Sequence, residues 1–290
     1  MAMFDGFTQR EIAIGDTVLH VTSGGDGPPL LLLHGYPQTR AAWHAIAAPL
    51  AARFTLIIPD LPGYGASRGP APETANYTKR RTAETLRDLV RLLGHDRIFL
   101  AGHDRGGRVG FRLALDHPEL VRAFAPLDIV PTLDAWEAMD WRGAMKSYHW
   151  LFLAQPAPLA ERLIGLDPDF YLEHLLTRWA GDRGALAPAA VAEYLRCFRD
   201  PGVIAATCAD YRAAASLDLE QDGADRASGK RIRCPVRVIW GRRYFPAGSP
   251  LPAWRRWAAD ADEVAFDCGH FIAEEAPAAC AEALIGFFGG

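Results

Sequence analysis

A chain of 290 residues, half of them hydrophobic, can bury a large core and suits one domain carrying an insertion better than two independent domains. Its 31 Lys and Arg against 35 Asp and Glu leave a net charge of −4, with no basic run, which removes nucleic acid as an expected partner. No apolar stretch approaches the ~18 residues of a membrane span and Met1 to Phe7 has no leader pattern, so a cytoplasmic chain with no membrane contact is expected; five Cys without a Cys-x-x-Cys predict free, mostly buried thiols and neither disulfides nor zinc.

Arg10 to Thr22 alternates with the period of antiparallel strands, and Gly24 to Pro28 is expected to close them with a turn. Leu30 to Leu33 is a continuous apolar run, as a central parallel strand requires, and ends in His34-Gly35-Tyr36-Pro37. A Gly followed by X-Pro at a strand end bends the backbone and leaves free N–H groups pointing outward. Ala41 to Ala52 predicts a helix, Phe54 to Ile58 a second buried strand, and Tyr77 to Leu93 an amphipathic helix stopped by Gly94.

Ile98 to Ala101 then reads as a buried strand, and Val109 to Leu115 keeps an apolar helical face until Pro118. Between them Gly102-His103-Asp104-Arg105-Gly106 has the Gly-x-nucleophile-x-Gly pattern of a nucleophile elbow, with Asp at the centre. Val121 to Leu127 is another strand, ending at Asp128. Over 129–226 helices and loops rich in aromatics and prolines predict an inserted helical cap, with 1–128 and 227–290 forming the core. Cys234 to Gly241 restores the strand pattern, Pro252 to Ala259 is expected to be helical, and Glu263 to Phe266 is the last strand, running into Cys268-Gly269-His270-Phe271. A helix from Pro277 to Phe288 closes the chain. The alternation predicts an α/β fold, a mostly parallel central sheet with helices on both faces and ligands at the strands' C-terminal ends.

A carboxylate at the elbow, near the N-terminus of the next helix, stays ionised and can attack an electrophilic carbon; a helix N-cap is the plainer alternative. An ester formed by Asp104 must be released by water, which needs a base held by a third group. Of nine histidines His270 fits, because it follows the last strand and so shares a sheet edge with Asp104. His34 and His103 border the elbow and are read as structural hydrogen-bonding residues. Gly241 to Gly248 carries no acid, so Asp128 becomes the orienting carboxylate, with a helix cap as its alternative. The expected oxyanion donors are the backbone amides of Tyr36 and Arg105.

Arg105 and Arg108 are spaced i, i+3 on the first turn after the elbow and can both project toward the pocket. Two guanidinium groups beside an attacking carboxylate suit a substrate that carries a small carboxylate of its own. For Arg112 a surface salt bridge suffices. His149 and Trp150 can border one cavity only in the direction between them, and Ile204, Cys208 and Tyr211 share one helix face; by spacing alone these aromatics serve a core as readily as a site. The loop Gly241 to Pro252 has no role that the sequence assigns.

The order Asp, Asp, His, set in His34-Gly-Tyr-Pro37, Gly-His-Asp-Arg-Gly106 and Cys-Gly-His-Phe271, resembles the α/β-hydrolase superfamily. Within it, Leu127-Asp-Ile-Val-Pro131, Tyr148-His-Trp150, Gln155-Pro-Ala-Pro158, Glu161-Arg-Leu-Ile-Gly165 and Asp210-Tyr-Arg-Ala213 resemble the fluoroacetate (haloacetate) dehalogenases, over nearly the whole chain. The resemblance implies the α/β-hydrolase fold and hydrolytic dehalogenation of fluoroacetate and related haloacetates to glycolate through an ester on Asp104. It gives Arg105 and Arg108 to the substrate carboxylate and His149, Trp150 and Tyr211 to the halide, with no cofactor and a homodimeric assembly. The rival enzyme is an epoxide hydrolase with Tyr148 and Tyr211 as acids, against which stand the two arginines, useless to a neutral epoxide. A non-catalytic binding protein on the same fold is the other class, and the complete Asp, His, Asp set weakens it.

Overall fold

The structure, a computed structural model, describes residues 3–245 and 248–289. Strands β1 (Thr8–Ile14) and β2 (Thr17–Gly24) form an antiparallel hairpin whose turn is Gly15-Asp16, with Gly15 at φ 58°. Gly24 to Pro28 therefore does not close the hairpin; it leads from β2 into β3 (Pro29–Leu33). The physical reason is that a two-residue turn opening on a left-handed glycine matches the twist of paired strands, a signal that Gly15-Asp16 already supplies.

After a 3-10 turn at Arg40–Trp43 come α1 (His44–Ala51), β4 (Thr55–Pro59), α2 (Lys79–Leu92), β5 (Ile98–His103), α3 (Asp104–Asp116) and β6 (Val121–Leu127). Eight α-helices follow before the next strand: α4 (Thr132–Glu137), α5 (Trp141–Lys146), α6 (Tyr148–Leu153), α7 (Leu159–Leu166), α8 (Pro168–Trp179), α9 (Pro188–Phe198), α10 (Pro201–Ala214) and α11 (Leu217–Ala227). The chain ends through β7 (Val236–Gly241), α12 (Leu251–Trp254), β8 (Ala261–Phe266), α13 (Ile272–Glu275) and α14 (Pro277–Phe288). The helix expected over Pro252 to Ala259 is thus cut to α12. A bridge between Ile232 and Ala258 draws the backbone out of the helix, and the indoles of Trp254 and Trp257 are fixed on Ile129 O (2.8 Å) and Asp134 Oδ2 (2.6 Å) instead.

The sheet runs β1-β2-β4-β3-β5-β6-β7-β8, antiparallel at β1/β2 and β2/β4 and parallel from β4 onward. Successive residues of a strand face opposite sides. Leu30 and Leu32 accordingly join Ile46 and Leu50 of α1 and Leu284 and Phe288 of α14 in one core, while Leu31 and Leu33 join Leu86 and Val90 of α2 and Val109 and Leu113 of α3 in the other. Both faces are covered, so β3 has no polar side and its sequence cannot alternate. The parallel strands end on one edge, where β7 finishes at Gly241 and the segments that follow β3, β5, β6 and β8 bring Tyr36, Asp104, Asp128 and His270.

Arg112, expected in a surface salt bridge, is only 1% exposed. Its guanidinium lies between Asp116 (2.9 Å), Asp222 (2.9 Å) and Asp225 (2.6 Å), the last two on α11. Spacing along α3 shows the Asp116 pair, but only packing brings α11 over it. All five cysteines are free and buried, and among the described residues no helix is long and apolar enough to cross a membrane.

Candidate active site

β5 passes into α3 through Asp104, whose φ of 45° lies in the left-handed region that normally favours glycine. The bend exists because its neighbours have no side chains. A Cβ on Gly102 would sit 2.5 Å from Gly106 O, one on Gly106 2.4 Å from His34 O, and one on Gly35 2.4 Å from the Asp104 Cβ. Asp104 is thereby pushed under the loop after β3, where the Tyr36 amide donates to its Oδ1 at 2.9 Å. The first amides of α3, Arg105 included, have no acceptor within the helix.

Asp128 is the second carboxylate in left-handed backbone, at φ 56°. Its amide donates to Ile239 O (2.8 Å), its Oδ1 accepts from the Gly241 amide (2.8 Å), and its Oδ2 lies 2.5 Å from His270 Nδ1. The other imidazole nitrogen, Nε2, faces Asp104 Oδ2 at 4.0 Å, beyond hydrogen-bonding range. The His270 loop is pinned from both sides: its amide donates to Trp179 O (3.0 Å), and its carbonyl accepts from His103 Nε2 (2.8 Å). His34 and His103 are structural, as read from sequence, His34 accepting from the Leu61 amide at 2.9 Å.

Burial acts against charge here. It pushes the His270 imidazole down to about 4 and His103 to about 4, and it raises the Asp128 carboxyl well above its ordinary value. His270 is therefore an uncharged base at neutral pH. Burial alone would also raise Asp104, but His270, Arg105, His103 and Arg108 outweigh it and hold the carboxyl below its usual range. With both histidines neutral, the guanidiniums are the standing charges that keep Asp104 ionised.

The two arginines differ. Arg105 is fully buried, with Nε on Asp210 Oδ2 (2.7 Å) and Nη2 on Asp210 O (2.9 Å), leaving Nη1 without a partner. Arg108 is held by neutral acceptors, Val130 O (2.8 Å) and the Thr132 hydroxyl (3.4 Å), and its Nε is unpaired. Burial, with Arg105 beside it, pulls the Arg108 guanidinium down to about 10. The aromatic residues close over these cations: Arg105 lies 4.1 Å from the Tyr211 ring centre and Arg108 4.5 Å from that of Trp150. Tyr211 packs against His149 (5.7 Å), Trp150 (6.3 Å) and Tyr36 (5.2 Å). His149 is buried, pushed down to about 3 by that burial, and its Nδ1 is unpaired. Every residue singled out from sequence for this site is thus in one buried cluster at the strand ends.

Several neighbours were not singled out. Asp210 stands in the sequence only as part of a family motif, yet it also accepts from the Tyr64 hydroxyl (2.7 Å) and pairs with Lys79. Trp179 packs on His149 (4.6 Å) and His270 (5.6 Å), and Tyr244 stacks on the His270 ring at 4.2 Å. Tyr244 gives the loop after β7 a contact that the sequence did not, together with the Lys146 bond to its carbonyl and the Arg243–Asp267 pair; Pro246 and Ala247 of that loop lie outside the described residues. Nothing in their local sequence signals these contacts, because each partner is remote in the chain.

Asp210→Asn keeps the shape but strips the charge facing both Arg105 and Lys79. Removing one partner of a buried ion pair typically costs about 3–5 kcal/mol. A clear fall in Tm is therefore expected, and an unchanged melting curve would contradict the network.

Residues 28–277 match the alpha/beta hydrolase fold family. A fluoroacetate dehalogenase from Burkholderia sp is 45% identical over 243 residues, 82% of this chain and 79% of the relative. A soluble epoxide hydrolase from Corynebacterium sp. (strain C12) is 33% identical over 285 residues, 97% of each chain. Among solved structures, a candidate epoxide hydrolase from Pseudomonas aeruginosa superposes with a TM-score of 0.96 at 46% identity, over 100% of this chain and 97% of that one.

Proposed function

Because this chain belongs to the α/β-hydrolase fold family, we propose that it hydrolyses the carbon–halogen bond of haloacetates, fluoroacetate among them, to glycolate and halide. Asp104 Oδ2 attacks the α-carbon while Oδ1 stays on the Tyr36 amide, and the halide departs toward His149, Trp150 and Tyr211. Their N–H and O–H groups replace the water shell on which a small anion depends. The ester left on Asp104 is then opened by a water that His270, oriented by Asp128, deprotonates, with the amides of Tyr36 and Arg105 holding the developing oxyanion. The sequence of steps uses side chains, amides and water, and by the same resemblance the working unit is a homodimer.

The observation that carries this reading is the set of unsatisfied polar atoms around Asp104: the donors Arg105 Nη1 and Arg108 Nε, and the imidazole nitrogen His149 Nδ1, are buried with no partner among the described residues. Arg105 already has Asp210, but Arg108 is a buried cation with only neutral partners, and a substrate bearing its own carboxylate supplies the charge it lacks. Hydrolysis of an epoxide is the second reading, supported by the Corynebacterium relative and by the buried Tyr211. Tyr148, its other required acid, lines an outer groove with Trp141 and Met145.

Fluoride and glycolate release from fluoroacetate, measured beside diol formation from a simple epoxide, tests the two. Arg108→Gln is expected to raise the haloacetate KM roughly 10- to 100-fold, the worth of one charged hydrogen bond. Diol production without halide release would reverse the assignment.

A further inference from the structure

The loop that carries His270 meets the helical insertion through backbone. The His270 amide donates to Trp179 O at 3.0 Å, and beside it Gly269 and Gly181 approach so closely that neither can carry a side chain. A Cβ on Gly181 would lie 2.6 Å from the Gly269 nitrogen, and one on Gly269 would lie 2.7 Å from Trp179 O. Gly181 and Asp182 follow α8, whereas Gly269 and Phe271 follow β8, so this seam joins the insertion to the sheet edge.

One side chain spans the seam. Glu275, the last residue of α13, turns its carboxylate back so that Oε2 accepts from the amides of Gly181 (2.8 Å), Asp182 (3.1 Å) and Gly269 (2.9 Å), and Oε1 from that of Phe271 (3.0 Å). Its own amide donates to Phe271 O at 2.8 Å. Hydrogen bonds to an ionised acceptor are the strong ones, and here four converge on one carboxylate from two remote segments. Starting the short helix α13 requires only the Phe271 bond; the two donors from the turn after α8 serve no purpose within it.

The segment that Glu275 grips reaches both parts of the site. Trp179, two residues before Gly181, packs on His149 at 4.6 Å and on His270 at 5.6 Å. We propose that Glu275 is a positioning residue for the second step: by fastening the turn after α8 and the His270 loop to one carboxylate, it makes the placement of the imidazole depend on the insertion being seated over the ester. The inference rests on the ester chemistry proposed above. Glu275 exchanges no proton and forms no covalent bond. It acts because His270 Nε2 stands 4.0 Å from Asp104 Oδ2, with the water to be deprotonated beside that line, and a displacement of about 1 Å in such a group typically costs about 10²-fold in rate.

Glu275 is also a negative charge that favours the protonated imidazole, so its removal alters more than position. Gly181→Ala separates the two effects, since its Cβ forces the loops apart while the charge stays. In Glu275→Gln the side-chain nitrogen must face either the three donors on one side or Phe271 on the other, so part of the clamp survives.

The test compares the whole enzyme with Glu275→Ala, Glu275→Gln and Gly181→Ala, following fluoride release from fluoroacetate, the ester on Asp104 by mass spectrometry, and Tm. Glu275→Ala is expected to keep a first-turnover burst of one fluoride per site, to accumulate the ester and to lose roughly 100-fold in steady-state rate. Glu275→Gln should fall between it and the parent, and Gly181→Ala should show the same split between burst and steady state. Hydrogen exchange gives a readout that needs no substrate: in Glu275→Gln the amides of 179–182 and 269–271 should lose protection together. A parental steady-state rate for Glu275→Ala, a burst lost in step with the steady-state rate in variants of parental Tm, a parental Gly181→Ala, or faster exchange confined to one of the two loops overturns the proposal. Absence of fluoride release from the unaltered enzyme would instead refute the haloacetate reading, and the exchange measurement would still decide whether Glu275 couples the loops.

Discussion

Asp104→Asn is expected to lose halide release by at least about 10⁴-fold, the scale on which removal of a nucleophile acts. An amide oxygen is a far weaker nucleophile than a carboxylate, so the carbon–halogen bond is not displaced. The variant isolates chemistry from folding because Asn tolerates left-handed backbone about as well as Asp, and the Tyr36 amide still finds an acceptor on the side chain. A parental Tm with abolished turnover is the expected pair of results. The unaltered enzyme supplies the complementary measurement: in a single turnover in heavy-oxygen water, label should enter Asp104 before it enters glycolate. Direct labelling of the first glycolate would rule out the ester and with it the role of Asp104.

His270→Gln is expected to divide the reaction at its midpoint. Attack by Asp104 needs no base, so halide should still appear once per site, whereas the ester then lacks the group that deprotonates water. Mass spectrometry should find the protein carrying one carboxymethyl group on Asp104, with steady-state turnover reduced by about 10³-fold or more. An adduct-free variant that is also inactive would place His270 in the first step instead. The pH profile of the parent offers an independent check. An imidazole pushed down to about 4 stays in its active, neutral form as pH falls, so kcat should hold through the range near 6.5 where an exposed histidine is half protonated, and decline only as pH approaches 4. A limb near 6.5 would mean that His270 gains a proton more easily than its burial allows.

Much of the site was legible because its demands are local. The elbow needs glycines at fixed offsets around Asp104, and the clashes that a Cβ would make at Gly102 and Gly106 show why those positions read as a pattern. The apolar run of β3 was legible for a similar reason, since both of its faces are covered. The misread elements fail for the converse reason. Gly24 to Pro28 has turn composition, but the hairpin had already turned at Gly15; α12 has helix composition, but pairing with Ile232 takes its continuation away.

By itself, the sequence determined the parallel α/β layering, the positions of Asp104, Asp128 and His270 at strand ends, and the spacing of Arg105 and Arg108, because each follows from periodicity or from a rule reaching only a few residues. The tertiary structure alone decided that Arg105 is held by Asp210, which leaves one free nitrogen, that Arg108 has only neutral partners, that Arg112 is buried under α11, and that Gln38 of the loop after β3 meets Glu274 of α13. Charge pairing and desolvation act through space between residues as much as 236 positions apart. No window on the sequence contains both partners, so only the folded chain fixes which charges are satisfied and which remain available for chemistry.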